Sequence, residues 1–315
     1  MNYPIKTIRI TAETKGQRLD KFLADFDMEK SRAAWQKLIR SGNVLVNGKI
    51  TKADYTVKEN DIFEILKEES KPIKKIKIPD IKILYEDDTV IVIDKPIGVV
   101  AQRAETSDAP AVTDFLESHF PPIKKIGESE QKSGIVHRLD KDTSGIMIAA
   151  KTQETFEFLK DKFKKREAQK IYTTLVYGKV ELREGAVDFA IGRNPKMPYK
   201  QTVVKNPEKS DIKSREARTL YKTIKNYEGY SLLSVELKTG RMHQIRVHMK
   251  AIGHPVVGDQ KYADSMLLKT TPELQRQFLH ATELKIALPD GKERTFQSDL
   301  PSDLKNFIKK LHSLD

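Results

Sequence analysis

The spacing of apolar and polar residues over the first 66 positions predicts two helices followed by a β-hairpin. Residues 18–23 open a helical pattern, and Ser31 can cap a second helix with its apolar residues on one side. Gly42 ends that helix. Residues 44–50 predict two short strands joined by an Asn-Gly turn, and residues 61–66 a further strand. These elements form a small unit within one end of the chain.

The pattern beyond residue 80 predicts mostly strands with interspersed helices. Residues 67–80 separate the two regions, because they are charged, contain prolines and lack an apolar period. Helices are predicted at 113–120, after Thr152, from about 241 to 253 and near the C-terminus. Strands are predicted at 83–85, 90–94, 146–150, 170–178, 186–191, 216–224, 231–237 and 278–288, and after the Asp290-Gly291 turn.

Composition narrows the class of protein. The chain has 315 residues, enough for two domains, and carries 57 Lys and Arg against 45 Asp and Glu. A net charge of +12 is typical of nucleic-acid binders, although other basic proteins share it. The chain has no cysteine, which excludes disulfides and thiolate-bound zinc. Without a leader-like start or about 18 consecutive apolar residues, we expect a cytoplasmic protein with no membrane span.

The stretch from His137 to Lys151 holds the first candidate chemistry. Ionisable residues stand directly before the apolar run 146–150, so Asp140 lies just before the start of a buried strand. Catalytic groups are common at such positions. We expect Thr143, Ser144 and Gly145 to form a tight turn and Asp140 to be a nucleophile. On the residues alone, Asp140 could equally be a cap or a solvated loop residue. A glycosidase pair of Asp140 with Asp142 is a second alternative.

The stretch from Leu237 to Met249 holds a second set of candidate site residues. Thr239-Gly240 ends a strand, and the following helix is expected to place Arg246 on one face with Met242 and Met249. A guanidinium on an apolar face needs a partner, because a buried unpaired charge is costly. The residues leave open whether that partner is Asp140 or another acid.

Histidines 243, 248, 254 and 280 raise the question of a metal. His243 and His248 are five positions apart, which suits one helical face poorly, and no acidic helical pair accompanies them. We therefore expect no metal site.

Residues 137–151 resemble the active-site signature of the RluA-type RNA pseudouridine synthases. The family's Lys-Pro-x-Gly element is matched by Lys95, Pro96 and Gly98, and its Gly-Arg-x-His-Gln-Ile-Arg element by residues 240–246. The chain departs from the family at Gln102-Arg103, where a His-Pro pair is frequent. The resemblance covers nearly the whole chain and implies an α+β fold. Its catalytic domain, at 81–315, would hold a mixed, largely antiparallel sheet flanked by helices, with a linker at 69–80.

Residues 1–68 resemble a small RNA-binding module first recognised in a ribosomal small-subunit protein. The order of helix, helix and hairpin carries this resemblance, together with basic residues beside them. An ordinary solvated face is the alternative for these charges. The basic residues that the resemblance assigns to RNA binding are Arg18, Arg32, Lys37, Arg40 and Lys49.

The resemblance implies specific roles. Asp140 would be the nucleophile, Arg246 would pair with it and keep it ionised, and Tyr172 would face the target base. The reaction isomerises uridine to pseudouridine and requires no cofactor and no metal. The partner would be RNA, either large-subunit ribosomal RNA or transfer RNA, and the protein a monomer. A protein that binds RNA in ribosome assembly without catalysis is the alternative. Substrate contacts are expected from His137, Arg138, Leu139, Lys170, Arg241, His243 and Gln244.

Overall fold

The chain forms two compact units, which a computed structural model describes at residues 4–9, 16–27, 30–66, 78–103, 109–129 and 132–314. The units are Met1–Lys75 and Ile76–Asp315. Their division falls within the predicted linker, of which residues 69–77 lie outside the described residues. Each unit has its own buried apolar cluster. The predicted linker limits therefore stay a prediction.

The first unit contains the predicted helix, helix and hairpin. Ser31 caps the second helix by accepting the Ala34 N–H at 3.3 Å, and Asn47 and Gly48 adopt φ values of 50° and 73°, as a type I′ turn requires. One strand, β1, was not predicted. The elements are β1 Pro4–Arg9, α1 Leu19–Phe26, α2 Arg32–Arg40, β2 Val44–Val46, β3 Lys49–Ile50 and β4 Ile62–Leu66, with sheet order β1-β4-β2-β3.

The second unit is built on a nine-stranded sheet. Its strand order is β5-β6-β7-β15-β8-β14-β13-β9, with β16 paired to β15. The pair β7 and β15 is parallel, and the other pairs are antiparallel, as expected. The strands are β5 Lys82–Glu86, β6 Val90–Lys95, β7 Ser144–Ala150, β8 Gln169–Tyr177, β9 Glu184–Val187, β10 Ala190–Arg193, β11 Gln201–Val204, β12 Ser214–Arg215, β13 Thr219–Tyr227, β14 Tyr230–Leu237, β15 Leu279–Ala287 and β16 Glu293–Gln297.

Helices flank this sheet, and a small second sheet lies beside it. The predicted strand at 186–191 is in fact two strands, and the second of them joins a three-stranded sheet of order β11-β10-β12. Short 3-10 helices occupy Pro121–Lys125 and Pro207–Lys209. The helices are α3 Val112–His119, α4 Gln153–Lys164, α5 Gln244–Ala251, α6 Ser265–Thr270 and α7 Ser302–Lys309.

Strand β7 lies at the centre of the large sheet, and all seven of its residues are buried. Gly145 pairs with both neighbouring strands at a φ of 116°, and a Cβ there would lie 2.3 Å from the Ala281 carbonyl oxygen. The prediction of a turn at 143–145 was wrong, because Ser144 and Gly145 already belong to β7. The turn is at Lys141-Asp142, where the Thr143 N–H donates to the Asp140 carbonyl at 3.1 Å. The loop that carries Asp140 thus leads directly into the core strand.

The prediction that Met242 lies on a helical face with Arg246 was also wrong. His243 has a left-handed φ of 57° and precedes the first residue of α5. Met242 therefore stands outside the helix and is 41% exposed. From Gln244 to Met249 every residue is buried, so the helix has no solvated face over that span.

Candidate active site

A cleft of about 770 Å³ in the second unit gathers the residues of the two predicted stretches. Asp140, Tyr172 and Arg246 line it, from the loop before β7, from β8 and from α5. Among the described residues that line the cleft, nine are Lys or Arg and Asp140 is the single carboxylate. A polyanion can therefore approach Asp140 through a field of opposite charge.

Arg246 contacts two carboxylates. Its Nη1 donates to Asp140 Oδ2 at 2.8 Å, and its Nε and Nη2 donate to the two oxygens of Asp259, each at 2.7 Å. The side chain of Arg246 is 4% exposed, that of Asp259 is fully buried, and that of Asp140 is 21% exposed. Although burial lowers the pKa of Arg246, its bonds to Asp259 and Asp140 raise it overall. Both partners left open by the sequence are thus present.

Asp259 is a site residue that the sequence reasoning missed. Its carboxylate holds the guanidinium fork of Arg246 and accepts the N–H groups of Lys261 and Tyr262 at 3.0 and 3.2 Å. A two-point fork fixes the plane of the guanidinium. Asp259 therefore determines where the third hydrogen bond of Arg246, the one to Asp140, points.

Tyr172 brings an aromatic ring and a free hydroxyl to the cleft. The residue is 6% exposed, and its hydroxyl has no hydrogen-bond partner among the residues that the structure describes. Burial, with a smaller contribution from the charge of Asp140, raises the pKa of Tyr172. The phenol is therefore protonated at neutral pH and can donate a hydrogen bond to a bound base.

His243 faces Asp140 from the other side. Its Nε2 lies 3.9 Å from Asp140 Oδ2, and its Nδ1 lies 2.8 Å from the hydroxyl of Tyr262, a second missed residue. That hydroxyl also accepts the Gln201 N–H at 2.8 Å and keeps its own proton and a second lone pair for the ring. Burial lowers the pKa of His243 to about 4. The ring is therefore neutral at neutral pH, and its hydrogen bond to Tyr262 fixes its orientation beside Asp140.

His137 lines the cleft with its ring, but one ring nitrogen is already engaged by the protein. Its Nε2 accepts the Ile148 N–H of β7 at 3.0 Å, and the ring stacks on Phe163 with 4.5 Å between centroids. Burial, and then the charge of Lys170, lower the pKa of His137 to about 3. Through Nε2 this histidine fixes the loop before β7, and its contact with substrate stays a prediction.

Gln244, for which a substrate contact is predicted, has its amide group engaged within the protein. Its Oε1 accepts from the Thr239 hydroxyl at 2.7 Å and from the Arg241 N–H at 3.0 Å. Its Nε2 donates to the Arg218 carbonyl and the Thr219 hydroxyl, both at 3.0 Å. All its hydrogen-bonding capacity is used within the protein. Gln244 therefore joins the end of β14 to the start of α5.

The remaining predicted contacts differ in exposure. Arg138 is exposed on the cleft wall, and Leu139 is 5% exposed and packs in the core. Burial lowers the pKa of Lys170, whose Nζ lies 5.6 Å from the centroid of the Phe163 ring. Arg241 lines the cleft and donates to the Glu216 carbonyl at 3.0 Å. Three cationic side chains thus remain directed to the cleft.

The loop that carries Asp140 is braced from behind by Lys95. This side chain is fully buried, and its Nζ donates to the carbonyls of Pro96, Val99 and Lys141 at 2.9, 2.9 and 3.1 Å. Burial lowers its pKa to about 7. The Gly98 N–H also donates to the Lys141 carbonyl, at 3.0 Å. The Lys-Pro-x-Gly element therefore fixes the backbone next to Asp140.

In the first unit the predicted RNA-binding residues lie on exposed positions of its helices and hairpin. Arg18 and Arg32 each lie 3.1 Å from the fully buried carboxylate of Asp20. Burial would raise the pKa of Asp20, but bonds from Arg18, Gln36 and Arg32 hold it well below its usual range. Asp20 thus orients two of the five cations. Exposed positions are also held by Lys37, Arg40 and Lys49.

Two kinds of feature are absent from the described residues: a metal-binding cluster and a membrane-spanning helix. No group of three or more His, Asp or Glu side chains there is arranged to hold a metal ion. Of the helices that the structure describes, none has the length and apolar character needed to cross a bilayer.

Comparison with known families assigns both units. The RNA pseudouridylate synthase family model matches residues 89–251, which include the cleft residues from Asp140 to Arg246. The S4 domain model matches residues 17–63. The S4 match agrees with the resemblance of the first unit to a ribosomal RNA-binding module.

Relatives and solved structures agree with these matches. An uncharacterized RNA pseudouridine synthase of Bacillus subtilis is 34% identical over 96% of this chain and 98% of its own length. The ribosomal large subunit pseudouridine synthase D of Nitrosomonas europaea is 33% identical over 98% of this chain and 89% of its own. Human RNA pseudouridylate synthase domain containing 4 shares the fold, with a TM-score of 0.57, 24% identity, and coverage of 72% of this chain and 91% of that one.

The matched residues include those that line the cleft and the parts of the sequence before and after them. The matches agree with the geometry of the cleft, where an acidic side chain, an aromatic ring and a guanidinium converge in a basic groove. The described residues form no metal cluster. The chain belongs to the RNA pseudouridine synthase family and is an isomerase that joins an S4 RNA-binding domain to its catalytic domain.

Proposed function

We propose that this chain converts uridines of structured RNA, most readily large-subunit ribosomal RNA, to pseudouridine with Asp140 as the nucleophile. The bond between uracil N1 and ribose C1′ breaks, the base turns, and C5 joins C1′. The C5 proton is lost and N1 gains one, so the reaction is an isomerisation. Asp140 would either bond to C1′ or assist formation of an unsaturated sugar.

One observation carries this proposal: Asp140 is the single carboxylate among the described residues of the basic cleft, and a buried arginine holds it at 2.8 Å. A guanidinium at this distance holds the carboxylate in one orientation and supplies its counter-charge, which suits a positioned nucleophile. Since Asp140 is 21% exposed, one face remains open to substrate. The same pairing argues against a role as a simple loop cap.

Tyr172 would stack against the turned base and relay the proton released from C5. Its hydroxyl has no hydrogen-bond partner among the described residues, and its pKa is raised. The side chain is therefore a protonated phenol that can donate a hydrogen bond, and not a phenolate. A relay is consistent with this state, because the phenol can give up one proton as it receives another. Replacement by phenylalanine would keep the stacking surface and remove the relay.

The target nucleotide must leave its stack to reach this cleft. Unstacking costs a few kcal/mol and is least costly where RNA is already looped. Arg138 is exposed on the cleft wall beside Asp140 and would occupy the space that the nucleotide leaves. The S4 domain would bind a neighbouring RNA segment through its exposed cations.

Large-subunit ribosomal RNA is proposed because relatives from Nitrosomonas europaea and Pseudomonas aeruginosa, each 33% identical, are named for that subunit. Gln102-Arg103 bears on target choice. Gln102 lines the cleft, whereas Arg103 is turned to Asp114 at 2.7 Å. Mapping pseudouridines in ribosomal and transfer RNA from cells with and without the chain identifies the target. Sites lost only from transfer RNA would overturn the ribosomal assignment.

Catalysis is tested by incubating the purified chain and its Asp140→Asn variant with RNA from cells lacking the chain. We expect pseudouridine with the parent and none with the variant. If neither protein forms pseudouridine while both bind the RNA, the alternative of a non-catalytic ribosome-assembly factor is favoured. Release of free uracil would instead indicate glycosidic cleavage.

A further inference from the structure

Three arginines at the rim of the cleft are not used in the reaction proposed above. Arg166 follows the last turn of α4, Arg215 ends β12, and Arg241 lies between β14 and α5. We call them the arginine cluster. Arg166 and Arg241 line the same cleft as Asp140. The Nε of Arg241 donates to the carbonyl of Glu216 at 3.0 Å, which places its guanidinium beside the residue that follows Arg215.

The cluster forms no ion pair with the part of the chain that the structure describes. No carboxylate pairs with any of its three arginines among the residues that the structure describes. Four other arginines of this unit differ in this respect, because Arg103, Arg218, Arg276 and Arg294 each lie within 3.5 Å of an aspartate. Burial lowers the pKa of Arg241, and the like charges of Arg215 and Arg166 lower it further, against a smaller opposing effect of the Glu216 charge. An anion bound at the cluster would relieve that repulsion.

Arg166 also occupies an unusual backbone position. It adopts a left-handed φ of 64° just after α4, a position that glycine or asparagine generally fills. This conformation costs an ordinary residue roughly 1 kcal/mol. An arginine held there, exposed and unpaired on the cleft wall, is better explained by a contact with ligand than by helix termination.

We infer that the arginine cluster is a phosphate-binding subsite that holds the RNA backbone next to the nucleotide turned into the cleft. A guanidinium matches phosphate oxygens with two parallel N–H donors, and three of them can hold successive phosphodiesters. The subsite would fix the register of the RNA while Arg138 and Tyr172 engage the displaced nucleotide. This inference rests on the proposed RNA substrate.

The size of the effect follows from counterion release. Each phosphate contact on single-stranded RNA contributes about 0.7 to the slope of log affinity against log salt concentration. Loss of one contact therefore weakens binding about fivefold at 0.1 M salt, and loss of three lowers the slope by about 2. Because phosphates carry no sequence information, the loss applies alike to different RNAs.

The test uses the full-length chain with Asp140→Asn, so that no turnover occurs, and an in vitro transcript of large-subunit ribosomal RNA as the probe. Binding is measured by filter retention between 50 and 300 mM salt for Arg166→Gln, Arg215→Gln, Arg241→Gln and the triple variant. Arg183→Gln is the matched control, because Arg183 is exposed, has no carboxylate partner among the described residues and does not line the cleft.

We expect each cluster variant to lower the salt slope by about 0.7, Arg241→Lys to restore it, and Arg183→Gln to leave it unchanged. A triple variant that is folded by circular dichroism and keeps the parental slope would overturn the inference. Failure of the proposed function would be a separate result. In that case the parent chain would form no pseudouridine, and this outcome does not depend on the salt slope.

Discussion

Replacement of Asp259 by asparagine separates the positioning of Asp140 from its chemistry. Asp259 is fully buried and does not line the cleft, yet it accepts two of the three hydrogen bonds that the guanidinium of Arg246 donates within the described residues, each 2.7 Å long. Asparagine has nearly the same shape but offers one acceptor and places an NH₂ group against a donor. The fork is lost, and Arg246 keeps at most one bond to residue 259 besides its 2.8 Å bond to Asp140.

The expected loss of stability is about 3 kcal/mol, the lower end of the range for breaking a buried ion pair, because Asp140 still neutralises Arg246. The rate should fall further than stability explains. A displacement of about 1 Å at the reacting group costs about 100-fold, which corresponds to roughly 2.7 kcal/mol of activation free energy. We therefore expect kcat to fall about 100-fold with little change in KM.

The assay is tritium release from RNA labelled at uridine C5, because pseudouridine formation replaces the C5–H bond. Stability is measured in parallel by urea unfolding. Asp303→Asn is the matched control: Asp303 makes the same fork to Arg276, at 2.7 and 3.0 Å, but does not contact Asp140. We expect it to keep the parental kcat. If Asp259→Asn loses stability but keeps parental kcat per folded chain, the positioning role is refuted.

Three further variants test other parts of the site. Tyr262→Phe removes the hydroxyl that holds the ring of His243 beside Asp140, and should lower kcat about tenfold in the tritium assay. Lys95→Met leaves the carbonyls of Pro96 and Val99 without a donor and that of Lys141 with only the Gly98 N–H, and should lower the free energy of unfolding by about 3 kcal/mol, measured in urea. His137 has a pKa of about 3 when folded and 6.5 as a free side chain, so the unfolded chain binds the extra proton between these values. His137 should thus contribute a loss of up to about 1.4 kcal/mol per pH unit as pH falls from 6.5, so the pH slope of His137→Phe should be smaller than that of the parent by about this amount. Equal slopes of unfolding free energy against pH in the parent and in His137→Phe would contradict the low pKa of folded His137.

The fold was largely predictable because its elements have local signals. Ser31 marks a helix start, Asn47-Gly48 marks a hairpin, and the apolar run of β7 marks a core strand. Errors arose where the backbone conformation depends on distant contacts. His243 is left-handed and Gly145 is forced against Ala281, and neither fact is visible in a helical or strand period.

The site was predictable only in part, for a related reason. The family motifs gave Asp140 and Arg246, which the structure brings together. Asp259 and Tyr262 were missed, since one polar residue in a turn looks like any other until the chain folds over it. Gln244 was assigned to substrate because it stands in a motif, although its partners at Thr219 and Thr239 show that it holds the helix.

The account depends most directly on Asp140. The decisive measurement is pseudouridine formed in RNA by the parent, by Asp140→Asn and by Asp142→Asn, the last a neighbouring carboxylate that does not line the cleft. The account predicts that Asp142→Asn, once shown to be folded, retains activity and that Asp140→Asn forms no pseudouridine while still binding RNA. Equal product from Asp140→Asn and the parent would contradict it.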